Sequence, residues 1–142
     1  MYRTILLCYD GSPEGQNVLS EGTDIAHRFQ STAHLLAVIP DLFVGNEISS
    51  AELLSAERDE YTEVLEEGVA ALQSAGLKVT GHLAYGRPAE VINAYAREIH
   101  ADLIVLGHRP KSALARWWQG GSVDGELVNH APCSILVAVN PR

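Results

Sequence analysis

Apolar and polar positions along the chain alternate between two rhythms. Continuous apolar runs fall at 4–9 (TILLCY), 33–39 (AHLLAVI), 78–84 (KVTGHLA), 102–106 (DLIVL) and 134–139 (SILVAV). All but the third are apolar on consecutive positions, as strands covered on both faces require. Between the runs, apolar residues recur at helical spacing. Val18, Leu19, Ile25, Ala26 and Phe29 form one stripe, and Leu54, Tyr61, Leu65 and Leu72 a second, within 50–75. Ile92, Tyr95, Ala96 and Ile99 form a third, and Leu127, Val128 and Ala131 a short fourth.

The residues between these segments agree with the boundaries. Ser12-Pro13 supplies a cap and a proline for the first helical position. Ser49 and Glu52 have capping-box spacing, Gly76 is placed to stop the second helix, Pro88 opens the third and Pro132 closes the fourth. The longest loop falls at 40–49. The order is therefore β-α-β-α-β-α-β-α-β, which predicts one α/β domain over 1–142: a doubly wound, five-stranded parallel sheet with helices on both faces. Ligands of such sheets sit beyond the carboxyl ends of the strands, where the winding direction reverses. Two loops at such ends carry chemistry: YDGSPEG after the first strand and GHRPKSALARWWQGGSV after the fourth.

Composition narrows the function classes. A net charge of −8, with 10 basic residues in 142, gives no basic face for a nucleic acid. No apolar stretch reaches the roughly 18 residues of a membrane span, and the apolar N-terminal run is shorter than a signal peptide's and meets Asp10 at once. Cys8 and Cys133, each beside a strand and far apart, read as buried, reduced thiols of a cytoplasmic protein. The six histidines show no metal-ligand spacing.

Asp10 could hold a ribose hydroxyl pair or a metal, or merely brace the turn before the first helix. Gly107, Gly120, Gly121 and Ser122 surround a helix N-terminus, where free N–H groups and the dipole favour a phosphate; a capped, glycine-rich surface loop is the plainer account. Trp117 and Trp118 could stack on a base or pack under the loop. GGSVD at 120–124 is not a nucleophile elbow, because Asp124 stands where that motif needs glycine. No phosphate-binding GxxxxGK[ST] occurs. The acidic pair and lysine of a phosphoacceptor domain are also missing.

Together, ILLCYDGS at 5–12, LLAVIP at 35–40, YGRPAEVI at 85–92, ADLIVLGHR at 101–109 and GGSVDGELVNHAPCSILVAV at 120–139 resemble the universal stress protein family along essentially the whole chain. The resemblance implies strand order 3-2-1-4-5 and a homodimer, here through the last strand, Ser134 to Val139. It also implies a stress-response module that in some members binds ATP. Its nucleotide positions carry over to Asp10 for the ribose, Val38 for the adenine, and Gly107, Gly121, Ser122 and Val123 for the phosphates of ATP or AMP, with Mg²⁺. The chain departs from the family's G-x2-G-x9-G-[ST] in three ways. Pro110 replaces the second glycine and has no N–H to offer, the following spacer has ten residues (111–120), and Asp124 puts a negative charge near the phosphates. Arg109, Lys111 and Arg116 bring positive charge in compensation. Three roles stay open: a nucleotide sensor, a module acting by protein contacts alone, and a weak nucleotide hydrolase using Asp10 and Ser122 to organise Mg²⁺. The hydrolase lacks a general base, since His108 has no visible orienting partner.

Overall fold

The computed structural model describes residues 1–40, 51–108 and 127–139, without the side chains of 14, 51–54 and 108. Its elements are β1 (Thr4–Cys8), α1 (Pro13–Phe29), β2 (Thr32–Pro40), α2 (Ala51–Ser74), β3 (Val79–Gly86), α3 (Pro88–Glu98), β4 (Leu103–His108) and β5 (Ser134–Val139). Residues 127–130 are helical. The five strands are all parallel, in the order β3-β2-β1-β4-β5. The chain winds outward from β1 to β3, returns to β4 and winds the other way. The reversal therefore lies between β1 and β4.

Alternation along the central strands divides the core into two layers. Leu6, Cys8, Leu36, Val38, Ile104 and Leu106 face Ala89, Ile92, Tyr95 and Ala96 of α3, with Leu127. Ile5, Leu7, Tyr9, Leu35 and Val105 face Val18, Leu19 and Ala26 of α1 and Leu72 of α2. Consecutive apolar residues in β1, β2 and β4 thus serve opposite faces in turn. β5 differs from its sequence pattern. Although as apolar as the central strands, it lies at the sheet edge, and Val137 and Val139 are 40% and 58% exposed.

Helix ends follow their cap residues. The Ser12 hydroxyl accepts from the Gly15 N–H at 3.1 Å, with Pro13 at the first helical position of α1. Past α2, Gly76 adopts a φ of +90° while the Leu77 N–H reaches back to the Leu72 carbonyl, a left-handed ending that glycine tolerates. The Ser49–Glu52 box lies outside the described residues. β3 runs two residues past the apolar pattern because its ladder with β2 continues to the Pro40–Gly86 pair. β4 likewise continues through Gly107 and His108, opposite Ala138 and Val139.

Two ties connect distant parts of the chain. Asp102, just before β4, accepts from the N–H groups of Arg3 and Thr4 at 2.9 and 3.0 Å, and its own N–H donates to the Thr4 carbonyl. On α3, the buried Asn93 amide donates to the Leu127 carbonyl at 3.2 Å, and Arg97 donates to the His130 carbonyl. Both cysteines are free thiols. Cys8 is buried, as expected, and burial pushes its thiol far up. Cys133 is a correction: it is only half-buried, because the strand that follows it lies at the edge of the sheet. Burial raises its pKa first, and the Asp102 carboxylate adds to this.

Candidate functional site

The carboxyl end of β1 is shaped by five residues. Tyr9 continues the strand for one step, its N–H donating to the Leu36 carbonyl at 3.0 Å. Asp10 then turns the chain. Its Oδ1 accepts from the Ser12 N–H at 3.0 Å and from the Ser12 hydroxyl at 2.6 Å. Gly11 takes a φ of +81°, where a Cβ would also press on the Val64 methyls at 3.0 Å, so the turn demands glycine on two counts. Gly15, in the first turn of α1, lets the helix sit directly on the Tyr9 ring, where an added Cβ would lie 2.8 Å away.

Asp10 therefore braces the turn, the plainer of its two expected roles, but with one oxygen only. Its Oδ2 is buried and has no hydrogen-bond partner among the described residues. A buried acceptor left open costs roughly 1–3 kcal/mol, so this oxygen is suited to a hydroxyl or N–H donor arriving from outside. Behind it, the Tyr9 phenol accepts from the Gln16 amide at 2.7 Å. Burial raises the Tyr9 pKa, with the Glu67 and Asp10 carboxylates adding and the Gln16 bond opposing.

Val38 presents its backbone, not its side chain. The side chain is fully buried against the α3 layer. In a parallel ladder a residue turns its N–H and C=O to the same side, and alternate residues turn the same way. Leu36 faces β1 and accepts from Tyr9. Val38, two residues on, faces the same side beyond the last rung, Cys8 with Leu36. Gly107 is buried in β4, opposite Ala138 and two residues past the last β1–β4 rung, Leu7 with Val105. Asp10, Val38 and Gly107 thus share one end of the sheet, on adjacent strands at the winding reversal. Arg109, Gly121, Ser122 and Val123 lie outside the described residues, as do Pro110, Lys111, Arg116, Trp117, Trp118 and Asp124.

Sequence reading missed a cavity of about 380 Å³ at the carboxyl ends of β2 and β3. Ile39, Leu83, Ala84 and Tyr85 line it from the sheet, and Glu57 and Arg58 from α2. Ala84 is the ladder partner of Val38, so the cavity is level with the crevice. Seven acidic residues between 52 and 67 hide Glu57 in the sequence. Asn93 was more detectable, as a polar residue between Ile92 and Tyr95. It is buried, and its Oδ1 lacks a partner among the described residues. Among the described residues no helix is long and apolar enough to cross a membrane.

Residues 1–139 match the model of the Universal stress protein family. A Staphylococcus aureus (strain USA300) protein named for that family is 31% identical over 139 residues, 96% of this chain and 83% of its own length. A solved structure reported as the basis for assigning a hypothetical protein's biochemical function aligns over 100% of this chain and 99% of its own, with 25% identity and a TM-score of 0.83. The Archaeoglobus fulgidus universal stress protein in complex with dAMP aligns at 19% identity and TM-score 0.68, covering 96% of this chain and 97% of that one. An Arabidopsis thaliana family member with AMP bound aligns at 17% identity and TM-score 0.64, covering 97% and 92%.

Proposed function

The chain belongs to the universal stress protein family, and from that premise we propose that it is a stress-response module that binds ATP or AMP across the carboxyl ends of β1 and β4. The observation that carries this is the buried Oδ2 of Asp10, which has no partner among the described residues and is held in place by the Ser12 bonds to Oδ1. A ribose hydroxyl is a donor of the right kind to satisfy it. The adenine would meet the Val38 N–H and C=O, and the phosphates would run over Gly107 toward Arg109, Gly121, Ser122 and Val123. The dAMP and AMP complexes of the two similar structures support an adenine nucleotide as the ligand class.

Among the described residues Asp10 is the carboxylate at the β1 end of the crevice, and no group of three His, Cys, Asp or Glu side chains there would hold an ion. Mg²⁺ would therefore be carried chiefly by the phosphates. The hydrolase reading needs Asp10 and Ser122 to organise Mg²⁺, and Ser122 lies outside the described residues, so that reading gains no support. The exposed apolar edge of β5 supports a homodimer through Ser134 to Val139. Two free thiols suit a cytoplasmic location.

Isothermal titration of the purified protein with ATP and AMP, with and without Mg²⁺, tests the reading. Binding that weakens at least tenfold in Asp10→Ala, the loss of one hydrogen bond to a charged group, supports it. No binding of either nucleotide at millimolar concentration overturns it and leaves a module that works by protein contacts.

A further inference from the structure

The cavity beside the crevice has apolar walls and two charged residues at its α2 side. Its walls come from the strand ends next to Val38: Ile39 follows Val38 in β2, and Ala84 pairs with it in β3. A nucleotide with its ribose at Asp10 and its phosphates toward β4 has one direction left for its base, toward β2 and β3. The base edge then enters a space where Ile39, Leu83 and Ala84 supply flat apolar contact. Only Glu57 and Arg58, among the described lining residues, carry charge there.

These two neighbours have opposite preferences. A carboxylate accepts and never donates, so it favours a base edge with an exocyclic amine. A guanidinium donates and never accepts, so it favours a base edge with a carbonyl. Both line the cavity, but Glu57 is half-buried and Arg58 is exposed, so water competes less for the carboxylate than for the guanidinium. Neither side chain has a hydrogen-bond or ion-pair partner among the described residues. Among the described residues no cation competes for Glu57. Near an apolar wall its bond to an amine is stronger than the same bond in water.

Resting on the nucleotide reading above, we propose that Glu57 is a specificity-determining residue: its carboxylate accepts from the exocyclic amine of the base and selects adenine over a 6-oxo purine. Inosine nucleotides are the matched competitor, because they exchange that amine for a carbonyl and leave the ribose and phosphates unchanged.

The test compares ATP and ITP affinities by titration calorimetry for the wild-type protein, Glu57→Gln and Arg58→Met. The wild type should prefer ATP by about tenfold or more, the usual worth of a bond to a charged group set against a repulsion. Glu57→Gln, whose amide can also donate to a carbonyl, should lower the ratio several-fold, mainly by weakening ATP, and leave the part that the Val38 backbone supplies. Arg58→Met should leave the ratio unchanged. An ATP/ITP ratio that survives Glu57→Gln overturns the proposal and spares the nucleotide reading. A ratio that collapses in Arg58→Met instead overturns it too. Absence of binding by any nucleotide overturns the nucleotide reading and the proposal together. Thermal melts of each variant confirm that the fold is intact.

Discussion

The hydroxyl of Ser12 lies 2.6 Å from Oδ1 of Asp10 while accepting from the Gly15 N–H at 3.1 Å. One side chain therefore caps α1 and fixes the rotamer of the carboxylate beyond β1. Ser12→Ala should lose the cap, worth about 0.5–2 kcal/mol of stability, and should also weaken nucleotide binding, since Asp10 would be held only by the backbone N–H of residue 12. Ser12→Thr keeps a hydroxyl and should restore both. Chemical denaturation alongside calorimetry checks the pair. Unchanged affinity in the alanine variant would mean that Asp10 is oriented by other contacts.

Gly68 sits where α2 packs on β2, beside the residue that follows β1. A Cβ there would lie 2.5 Å from a Leu35 methyl and 3.0 Å from the Tyr9 ring. Alanine gains about 1 kcal/mol in helix propensity, but overpacking a closed core costs about 1–3 kcal/mol. Leu35 is fully buried and has little room to yield. Gly68→Ala should therefore be destabilising by about 1 kcal/mol in urea unfolding.

His34 gives the fold a sensitivity to acid. Its Nδ1 lies 3.4 Å from the Tyr95 hydroxyl, and Tyr95 stacks on His82 with ring centroids 4.4 Å apart. Burial lowers the His34 pKa, so the folded state resists a proton that the unfolded chain accepts near pH 6.5. Stability should be intact above that pH and should fall as the pH drops below it. Melting temperatures measured from pH 7.5 to 5 should decline less steeply in His34→Phe than in the wild type.

The edge strand predicts the assembly. Val137 and Val139 leave apolar surface on an unpaired strand edge, an arrangement that invites a second copy. Light scattering of the wild type at micromolar concentration should give a dimer, and Val137→Lys should give a monomer. A monomeric wild type would remove the idea.

The thiols should separate by burial. Cys133 should react with a water-soluble thiol reagent in the native protein, slowly because its pKa is raised. Cys8 should react only as the chain unfolds. Two equally fast thiols would contradict the packing of β1.

Strand number, order of elements and most boundaries were legible because β1, β2 and β4 need apolar residues on both faces, and caps such as Ser12 and stops such as Gly76 act locally. For β5 the apolar pattern alone was misleading, since this edge strand is as apolar as a buried one; the family's strand order is what put it at the edge. The parallel order itself came from the family resemblance, since periodicity does not say which strands are neighbours. Asp10 was legible as a candidate, but the division between its two oxygens was not, because that depends on Ser12 geometry. Val38 was placed by the family resemblance, while what it turns toward the crevice is backbone, which no side-chain pattern reveals. Glu57 is one acid among many on α2, and only its half-burial beside Ile39 and Ala84 distinguishes it.

The bonds from the N–H groups of Arg3 and Thr4 to Asp102 span 99 and 98 residues. On the ribosome, the first strand is made long before the residues that complete its second ladder. β1, β2 and β3 can pair early, since each follows its neighbour closely, but the other edge of β1 stays open until β4 emerges. Ordering so long an intervening chain delays that closure, and an open apolar edge is a target for wrong pairing. The centre of the finished sheet is thus, during synthesis, its most vulnerable margin, and help from a chaperone would matter most in the interval between β3 and β4.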